Sequence, residues 1–197
     1  MIKKSLTFLG AMLLSGAALA AEMPQVSIKT TEGEIILELN DEKAPKSVAN
    51  FLAYVKSGFY KNTIFHRVID GFMIQTGGYT KDLKGKPTLK PVKSESQNGL
   101  RNEPYTVAMA RTDNPDSATS QFFINVANNE GLNYPMPDGV GYTVFGKVIQ
   151  GQEVVDKIKG VLVDDKPMFA NIPVNPITIK SVTVLKTKIE TKTEPTQ

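Results

Sequence analysis

The stretch FHRVIDGFMIQTGG, residues 65–78, sets two basic side chains among apolar ones. His66 is the single histidine of the chain, and Arg67 follows it directly. Arginine keeps its proton at every physiological pH, so it cannot transfer one. A permanent cation between apolar residues can donate hydrogen bonds to a ligand, or it can simply extend its head group to solvent. The local sequence leaves both interpretations open.

The residue types argue against several other chemistries. The chain has no cysteine, which removes disulfides, thiolate metal sites and thiol nucleophiles, and one histidine is too few for a typical zinc site. No G-x-S-x-G elbow and no phosphate-binding loop is present. The segment 113–124 lacks the glycine and the glutamate that a calcium loop requires. We therefore expect neither a metal nor a cofactor.

A second set of side chains combines large apolar groups with amides. It comprises Phe72, Met73 and Gln75 near Arg67, and Met109, Gln121, Phe122 and Phe123 in two later segments. Phenylalanine and methionine in strands are usually core residues. The alternative is an apolar cleft with a few fixed polar groups, which is typical of ligand sites.

The first 20 residues, MIKKSLTFLGAMLLSGAALA, are typical of a cleaved export signal. Two lysines precede an apolar run, and Ala18-Leu19-Ala20 has the small-x-small pattern of a signal-peptidase site. The run is too short and too interrupted to favour a membrane anchor. We expect a mature protein that starts at residue 21, has no membrane segment and resides in the periplasm, although secretion beyond it is also compatible with the signal.

The rest of the chain predicts one domain. Removing the signal leaves 177 residues (197 minus 20) and a net charge of +1 (+3 minus two lysines), which does not point to nucleic acid as a partner. We assign residues 21–187 to the domain and the polar residues 188–197 to a flexible tail. The composition favours a monomer.

Apolar periodicity predicts a mainly β fold with two helices. APKSVANFLAYVKSGFY, residues 44–60, has apolar residues at helical spacing, and GQEVVDKIKG, residues 151–160, predicts a shorter second helix. Thr31-Glu32-Gly33 predicts a hairpin turn, and most later apolar runs are short and β-like. Many short strands with two helices favour a closed β-barrel capped at its ends.

Three segments, FHRVIDGFMIQTGGYT, SQFFINV and YTVFGKVIQG, resemble the signature set of the cyclophilin-type peptidyl-prolyl cis-trans isomerases. The order and spacing fit the exported bacterial branch, and the resemblance runs from about residue 25 to residue 186. It implies a closed eight-stranded antiparallel β-barrel with two helices. It also implies an active cleft on the outer surface of the barrel and proline-containing polypeptides as substrates.

The resemblance also implies roles for individual residues. Arg67 is the catalytic residue. The remaining positions bind the substrate: the apolar pocket, the two amides and the peptide-binding segments correspond to Phe72, Met73, Gln75, Met109, Ala110, Arg111, Gln121, Phe123, Leu132 and Tyr142. Ala110 and Arg111 fall where the family binds the peptide through its backbone. His66 is interpreted as structural, since the reaction moves no proton.

Gly131 departs from the family pattern at a position where cyclosporin-sensitive members carry tryptophan. Glycine offers neither the indole donor nor its apolar surface, so we expect weak cyclosporin binding with isomerase activity retained. The alternative function is a proline-peptide binding module or holdase chaperone with incidental turnover. Retention of Arg67 together with the pocket residues favours the isomerase.

Overall fold

The computed structural model describes residues 22–186 of the chain. The predicted export signal, residues 1–20, and the predicted tail, residues 188–197, lie outside the described residues. Within residues 22–186 neither α-helix has the length and apolarity that crossing a bilayer requires.

Antiparallel strands dominate the described chain, and eight of the ten join one sheet in the order β10-β1-β2-β7-β5-β6-β4-β3. The other two, β8 and β9, form a separate hairpin. The strands are β1 (Gln25–Thr30), β2 (Glu34–Leu39), β3 (Arg67–Ile69), β4 (Met73–Thr76), β5 (Thr106–Met109), β6 (Phe122–Asn125), β7 (Val144–Gln150), β8 (Val163–Lys166), β9 (Phe169–Pro173) and β10 (Ile179–Val184). The prediction of a mainly β fold with eight antiparallel strands in the principal sheet is confirmed.

Closure of the barrel is not confirmed. The two edge strands of the principal sheet, β3 and β10, do not pair with each other. Hydrogen bonds near this gap come instead from the chain before β3: the Phe65 N–H donates to the Ile177 carbonyl over 3.0 Å, and the Ile179 N–H donates to the Thr63 carbonyl over 2.8 Å. Pairing in this region includes an isolated bridge between Ile64 and Thr178, outside the named strands.

Two α-helices appear where periodicity predicts them, α1 (Pro45–Lys56) and α2 (Gln152–Lys159). Helix α1 begins with a proline in its first turn, a position where the missing N–H costs nothing. It buries Val48, Phe51 and Val55 against the concave side of the sheet. Helix α2 packs against β2, β3 and β4. Both predicted helices are confirmed.

Aromatic rings fill the space between α1 and the principal sheet. Phe51 lies 5.3 Å from Phe122, edge to face, and 5.4 Å from Phe145, measured between ring centroids. All three side chains are at most 1% exposed. We call this apolar interior the inner core, and it fixes which face of each central strand points inward.

A distant carboxylate caps the first turn of α1. The N-cap residue, Ala44, has no side-chain acceptor for the free N–H groups of that turn. Glu95 supplies one from a loop 48 residues away. Its Oε1 accepts from the Lys46 N–H over 3.0 Å, and its Oε2 accepts from the Ser47 N–H over 2.9 Å and from the Ser47 hydroxyl over 2.8 Å. The negative charge also complements the helix dipole.

Replacing Glu95 with alanine should lower the free energy of unfolding by about 1 to 2 kcal/mol, because the first turn of α1 loses its acceptors and a favourable charge. Urea denaturation followed by circular dichroism measures this loss. Glu42→Ala, at an exposed acid just before α1, is the matched control and should cost less than half as much. Equal losses in both variants would contradict a capping role for Glu95.

Candidate active site

Strand register places the candidate catalytic residues side by side. Arg67 on β3 pairs with Gln75 on β4, Gln75 pairs with Phe123 on β6, and Phe123 pairs with Ala108 on β5. Directly paired residues project from the same face of a sheet, and neighbouring strands lie about 4.8 Å apart. The guanidinium, the amide and the phenyl ring therefore form one row across the outer face of the sheet.

A second apolar cluster lies on this outer face. The alternate residues of the same strands, among them Val68, Ile74 and Phe122, point into the inner core. On the outer face, four buried residues pack together: Met73, Ala108, Phe123 and Val144. Partly buried side chains surround them, namely Ile69, Phe72, Leu100, Ala110, Leu132 and Tyr142. This cluster gives the site an apolar floor and wall.

An open cavity of about 190 Å³ lies over this floor. Nine of the eleven residues that the resemblance assigns to the site line it: Arg67, Phe72, Met73, Gln75, Ala110, Arg111, Phe123, Leu132 and Tyr142. The structure thus brings together side chains from segments as far apart in sequence as residues 67 and 142. The mixture is that of a ligand site, since two guanidinium groups and one amide accompany apolar and aromatic groups.

Met109 and Gln121 do not line the cavity. Met109 is 3% exposed and belongs to the inner core, because alternation along β5 turns Ala108 outward and Met109 inward. Gln121 lies behind the row, where its Oε1 accepts a hydrogen bond from the Gln75 Nε2 over 2.9 Å. Gln121 is thus placed to orient Gln75 and leaves the Gln75 carbonyl oxygen free to accept another bond.

The backbone of Ala110 is partly committed within the protein. Its N–H donates to the Gln121 carbonyl over 3.1 Å, so only its carbonyl group is available to a bound peptide. The Arg111 side chain is engaged with the loop that follows Leu132. The Ala110 carbonyl and the Arg111 backbone can therefore still contact a bound peptide.

Arg67 differs from Arg111 in being exposed at the cavity edge. In the described part of the chain, none of the six ion pairs includes the Arg67 guanidinium. Its charge is therefore not neutralised by a carboxylate within residues 22–186. Five N–H donors on a planar group make it suited to a polar ligand atom at the edge of the cavity.

Gly78 leaves space for the Gln121 side chain. The sequence analysis did not identify this role. A Cβ atom at Gly78 would lie 2.6 Å from the Gln121 Nε2 and 2.7 Å from its Cδ, closer than real side chains approach. The absence of a side chain at Gly78 thus leaves room for the amide that orients Gln75. The pair Gly77-Gly78 directly after a strand was the available sequence signal for a close approach of this kind.

His66 lies beside the site but is buried. Its side chain is packed edge to face against Tyr79, with ring centroids 4.9 Å apart, and only 5% of the residue is exposed. Burial away from water is the main cause that lowers its pKa to about 4, and the positive charge of Arg67 lowers it further. His66 is therefore neutral near pH 7.

Comparison with known proteins finds a matching family and similar relatives. The model of the Cyclophilin type peptidyl-prolyl cis-trans isomerase/CLD family matches residues 25–184. The chain is 56% identical over 165 residues to the peptidyl-prolyl cis-trans isomerase cyp18 of Streptomyces antibioticus, a match that covers 83% of this chain and 99% of that protein. It is 53% identical over 184 residues to the peptidyl-prolyl cis-trans isomerase of Acinetobacter baylyi, covering 93% and 96%.

A solved structure supports the fold. The cyclophilin-type peptidyl-prolyl cis-trans isomerase of Cryptosporidium parvum, crystallised in the presence of the dipeptide Ala-Pro, superimposes with a TM-score of 0.69 at 31% sequence identity. The match covers 83% of this chain and 99% of that one.

Gly78→Ala should displace the Gln121 amide and weaken binding of an Ala-Pro peptide severalfold, because the new methyl group occupies the position of that side chain. The melting temperature should change by only a few degrees, since Gln121 can rotate away from the clash. NMR titration gives the peptide affinity, and the side-chain amide signals of Gln75 and Gln121 report the displacement. Gly160→Ala, where a Cβ meets nothing nearer than 3.7 Å, is the control. Unmoved amide signals would rule out the proposed support.

Acid should destabilise the protein through His66. In the unfolded chain the imidazole titrates near its ordinary pKa of 6.5, whereas in the folded chain it does so at about 4, so the unfolded state binds more protons between these values. The contribution of neutral His66 to the free energy of unfolding is fully present above pH 6.5, and it is lost as the pH drops toward 4. The loss between pH 7.5 and pH 5 should be on the order of 2 kcal/mol.

Urea unfolding at pH 7.5, 6 and 5 measures this dependence. His66→Gln removes the titrating group and should flatten the slope of stability against pH across this window. A wild-type protein equally stable at pH 7.5 and pH 5 would contradict the assignment, and so would a His66→Gln variant with the wild-type slope.

Proposed function

Because the chain belongs to the cyclophilin-type peptidyl-prolyl cis-trans isomerases, we propose that it accelerates rotation about X-Pro bonds in exported polypeptides, with Arg67 as its catalytic residue. Its activity class, peptidyl-prolyl cis-trans isomerase, follows from the family and from its close relatives. Cyclophilins bind proline-containing peptides, and the nine residues around the 190 Å³ cavity are the binding site in this proposal.

The reaction needs neither a nucleophile nor a cofactor. Rotation about an X-Pro amide is slow because its C–N bond has partial double-bond character, with a barrier of about 18 to 20 kcal/mol. In the planar ground state, resonance draws electron density from the prolyl nitrogen to the carbonyl oxygen. Rotation returns the lone pair to nitrogen. A catalyst therefore has to favour the twisted form, in which that lone pair can accept a hydrogen bond.

The observation that carries the mechanism is the row of Arg67, Gln75 and Phe123 on adjacent strands. An apolar cavity disfavours the charge-separated planar amide. A guanidinium at its edge can donate to the prolyl nitrogen as the lone pair returns, and each 1.36 kcal/mol of such selective stabilisation gives about tenfold in rate. Donation to the prolyl nitrogen requires a permanent hydrogen-bond donor and no proton transfer. Arginine is such a donor, and the neighbouring His66 is uncharged and transfers no proton in this mechanism.

The apolar residues hold the proline ring in this mechanism. Phe123 is 4% exposed and Met73 is 2% exposed, so both present a fixed surface, and Phe72 and Leu132 complete the wall. Gln75 is held by Gln121 and accepts or donates at the peptide backbone next to the rotating bond. The pocket holds the proline ring in place while the carbonyl of the preceding residue turns. Binding energy is thereby used to promote rotation about the X-Pro bond.

The cellular setting of this proposal comes from the first 20 residues. A cleaved export signal would deliver the mature chain as a monomer to the periplasm or beyond it, where its substrates are exported proteins that are unfolded or partly folded. Cyclosporin would bind weakly, because Gly131 is exposed and has no side chain to offer the drug.

Arg67→Ala should reduce kcat/KM for an Ala-Pro peptide roughly 100-fold, because one preorganised donor to the transition state is lost. Arg67→Lys should be intermediate, since it keeps the charge but not the planar fork. NMR exchange spectroscopy measures cis-trans interconversion directly, and a chemical-shift titration of the same samples gives the affinity, which should stay within severalfold of wild type because the apolar contacts remain.

The matched control is Arg101→Ala, at an exposed arginine outside the cavity that pairs with Glu130 over 3.6 Å. Its turnover should equal that of wild type. A folded Arg67→Ala variant with half of the wild-type turnover would overturn the arginine mechanism. A folded wild-type protein that binds the peptide without accelerating exchange would overturn the isomerase proposal and support the proline-peptide binding module or holdase chaperone instead.

A further inference from the structure

The Arg111 guanidinium is buried although it lies at the edge of the candidate site. Its side chain is only 5% exposed. All three of its nitrogen atoms donate hydrogen bonds: Nε to the Gly141 carbonyl over 3.0 Å, Nη1 to the Thr112 carbonyl over 2.9 Å, and Nη2 to the Asp138 Oδ2 over 2.6 Å. A charge removed from water in this way is retained only where its partners are well placed.

Two of these partners belong to one loop, residues 133–141, which we call the rim loop. Its ends are joined where the Tyr142 N–H donates to the Leu132 carbonyl over 2.9 Å, just outside the loop. Asp138 organises the middle, since its Oδ1 accepts from the Val140 and Gly141 N–H groups over 3.1 Å each while its Oδ2 faces Arg111. Asp138 thus ties the loop to itself and to Arg111.

Gly141 brings the returning chain against the start of the rim loop. It has a φ of +78°, a conformation that favours glycine, and a Cβ atom there would lie 2.7 Å from the Tyr134 nitrogen. The hydrogen bond from the Arg111 Nε meets the carbonyl of this same residue. Arg111 therefore donates a hydrogen bond to the rim loop at the place where the two ends of the loop lie against each other.

Arg111 also connects the rim loop to the floor of the cavity. Its guanidinium lies over the Tyr142 ring, 4.4 Å from the centroid, and the Tyr142 ring packs edge to face on Phe123 at 5.8 Å. Phe123 pairs directly with Gln75, which in turn pairs with Arg67 in the same row. One buried cation thus joins the rim loop, the cavity wall and the cavity floor.

We propose that Arg111 is a positioning residue that locks the rim loop through Asp138 and Gly141, and that this locked loop sets the affinity for the peptide beside the proline. The proposal rests on the proposed function only in taking the cavity as the prolyl-peptide site. Arg111 acts on binding through Tyr142 and the loop, and it has no part in the rotation step, which belongs to Arg67.

The rim loop is suited to this task because it lines the space next to the cavity. Leu132 and Phe72 line both the 190 Å³ cavity and an adjoining open groove, and Pro137 of the rim loop lines that groove as well. Tyr134 and Met136 of the same loop are 47% and 54% exposed, and in this proposal they contact a peptide that extends beyond the cavity. Holding them in one arrangement lowers the entropy that binding must remove.

The test compares the affinity and turnover of an Ala-Pro-containing peptide for wild type, Arg111→Ala, Asp138→Ala and the double variant. NMR titration gives Kd, exchange spectroscopy gives kcat, and the ¹³C-methyl signal of Met136 reports the rim loop. We expect Arg111→Ala to raise Kd about tenfold with kcat within twofold of wild type. Asp138→Ala should do nearly the same, the double variant should match Arg111→Ala, and Arg111→Lys should recover part of the affinity.

Arg101→Ala, an exposed arginine whose Glu130 partner precedes the rim loop, is the matched control and should leave both Kd and the Met136 signal unchanged. An unchanged Kd in folded Arg111→Ala would overturn the proposal, as would additive effects in the double variant or a fall in kcat at constant Kd. Asp138 is the more exposed partner of this pair, so Asp138→Ala decides the question if Arg111→Ala does not fold. A wild-type protein without isomerase activity would remove the proposed function but leave the Kd and Met136 readouts valid.

Discussion

The register of three short strands is the constraint on which the site depends. Arg67, Gln75 and Phe123 share a face only because β4 pairs with β3 on one side and with β6 on the other in one particular alignment. A slip of one residue would turn the guanidinium and the amide inward and bring Val68 and Ile74 to the surface. Burial of those alternate residues in the inner core makes such a slip costly. The apolar interior thus determines where the polar groups of the site stand, although it never touches a ligand.

Local patterns explain which parts of this arrangement could be predicted. Helical spacing of apolar residues predicted both α1 and α2, since periodicity acts over a few turns. The same kind of reasoning could have placed Met109 correctly: if Ala110 lies at the cavity, alternation along an extended segment turns its neighbour inward. The resemblance drew attention to Met109 as part of a motif, whereas the strand geometry decided where its side chain points. Barrel closure was beyond local patterns, because it depends on how the two edge strands, β3 and β10, meet although they lie far apart in sequence.

Long-range side-chain contacts were also out of reach of the sequence. Glu95 caps a helix 48 residues before it, and Asp138 meets Arg111 across 27 residues. Nothing in the residues around either acid distinguishes it from an ordinary exposed carboxylate. Both contacts became visible only when the folded chain brought a free backbone N–H or a buried guanidinium within hydrogen-bonding distance. Gly78 is an intermediate case, since a glycine pair after a strand signals a close approach but not the group that approaches.

The side chains that line the cavity determine how the site responds to pH and to oxidants. No carboxylate, imidazole or thiol is among the described residues that line it, and its methionine, Met73, is 2% exposed. Its polar groups are two guanidinium groups, one amide and one phenol, and the rest of the lining is hydrocarbon and a buried thioether. Mild acidification or a mild oxidant therefore leaves the cavity lining chemically unaltered while the fold is intact. Acid therefore acts on this site through the stability of the fold, where the buried His66 takes up a proton on unfolding, and not through the groups that line the cavity.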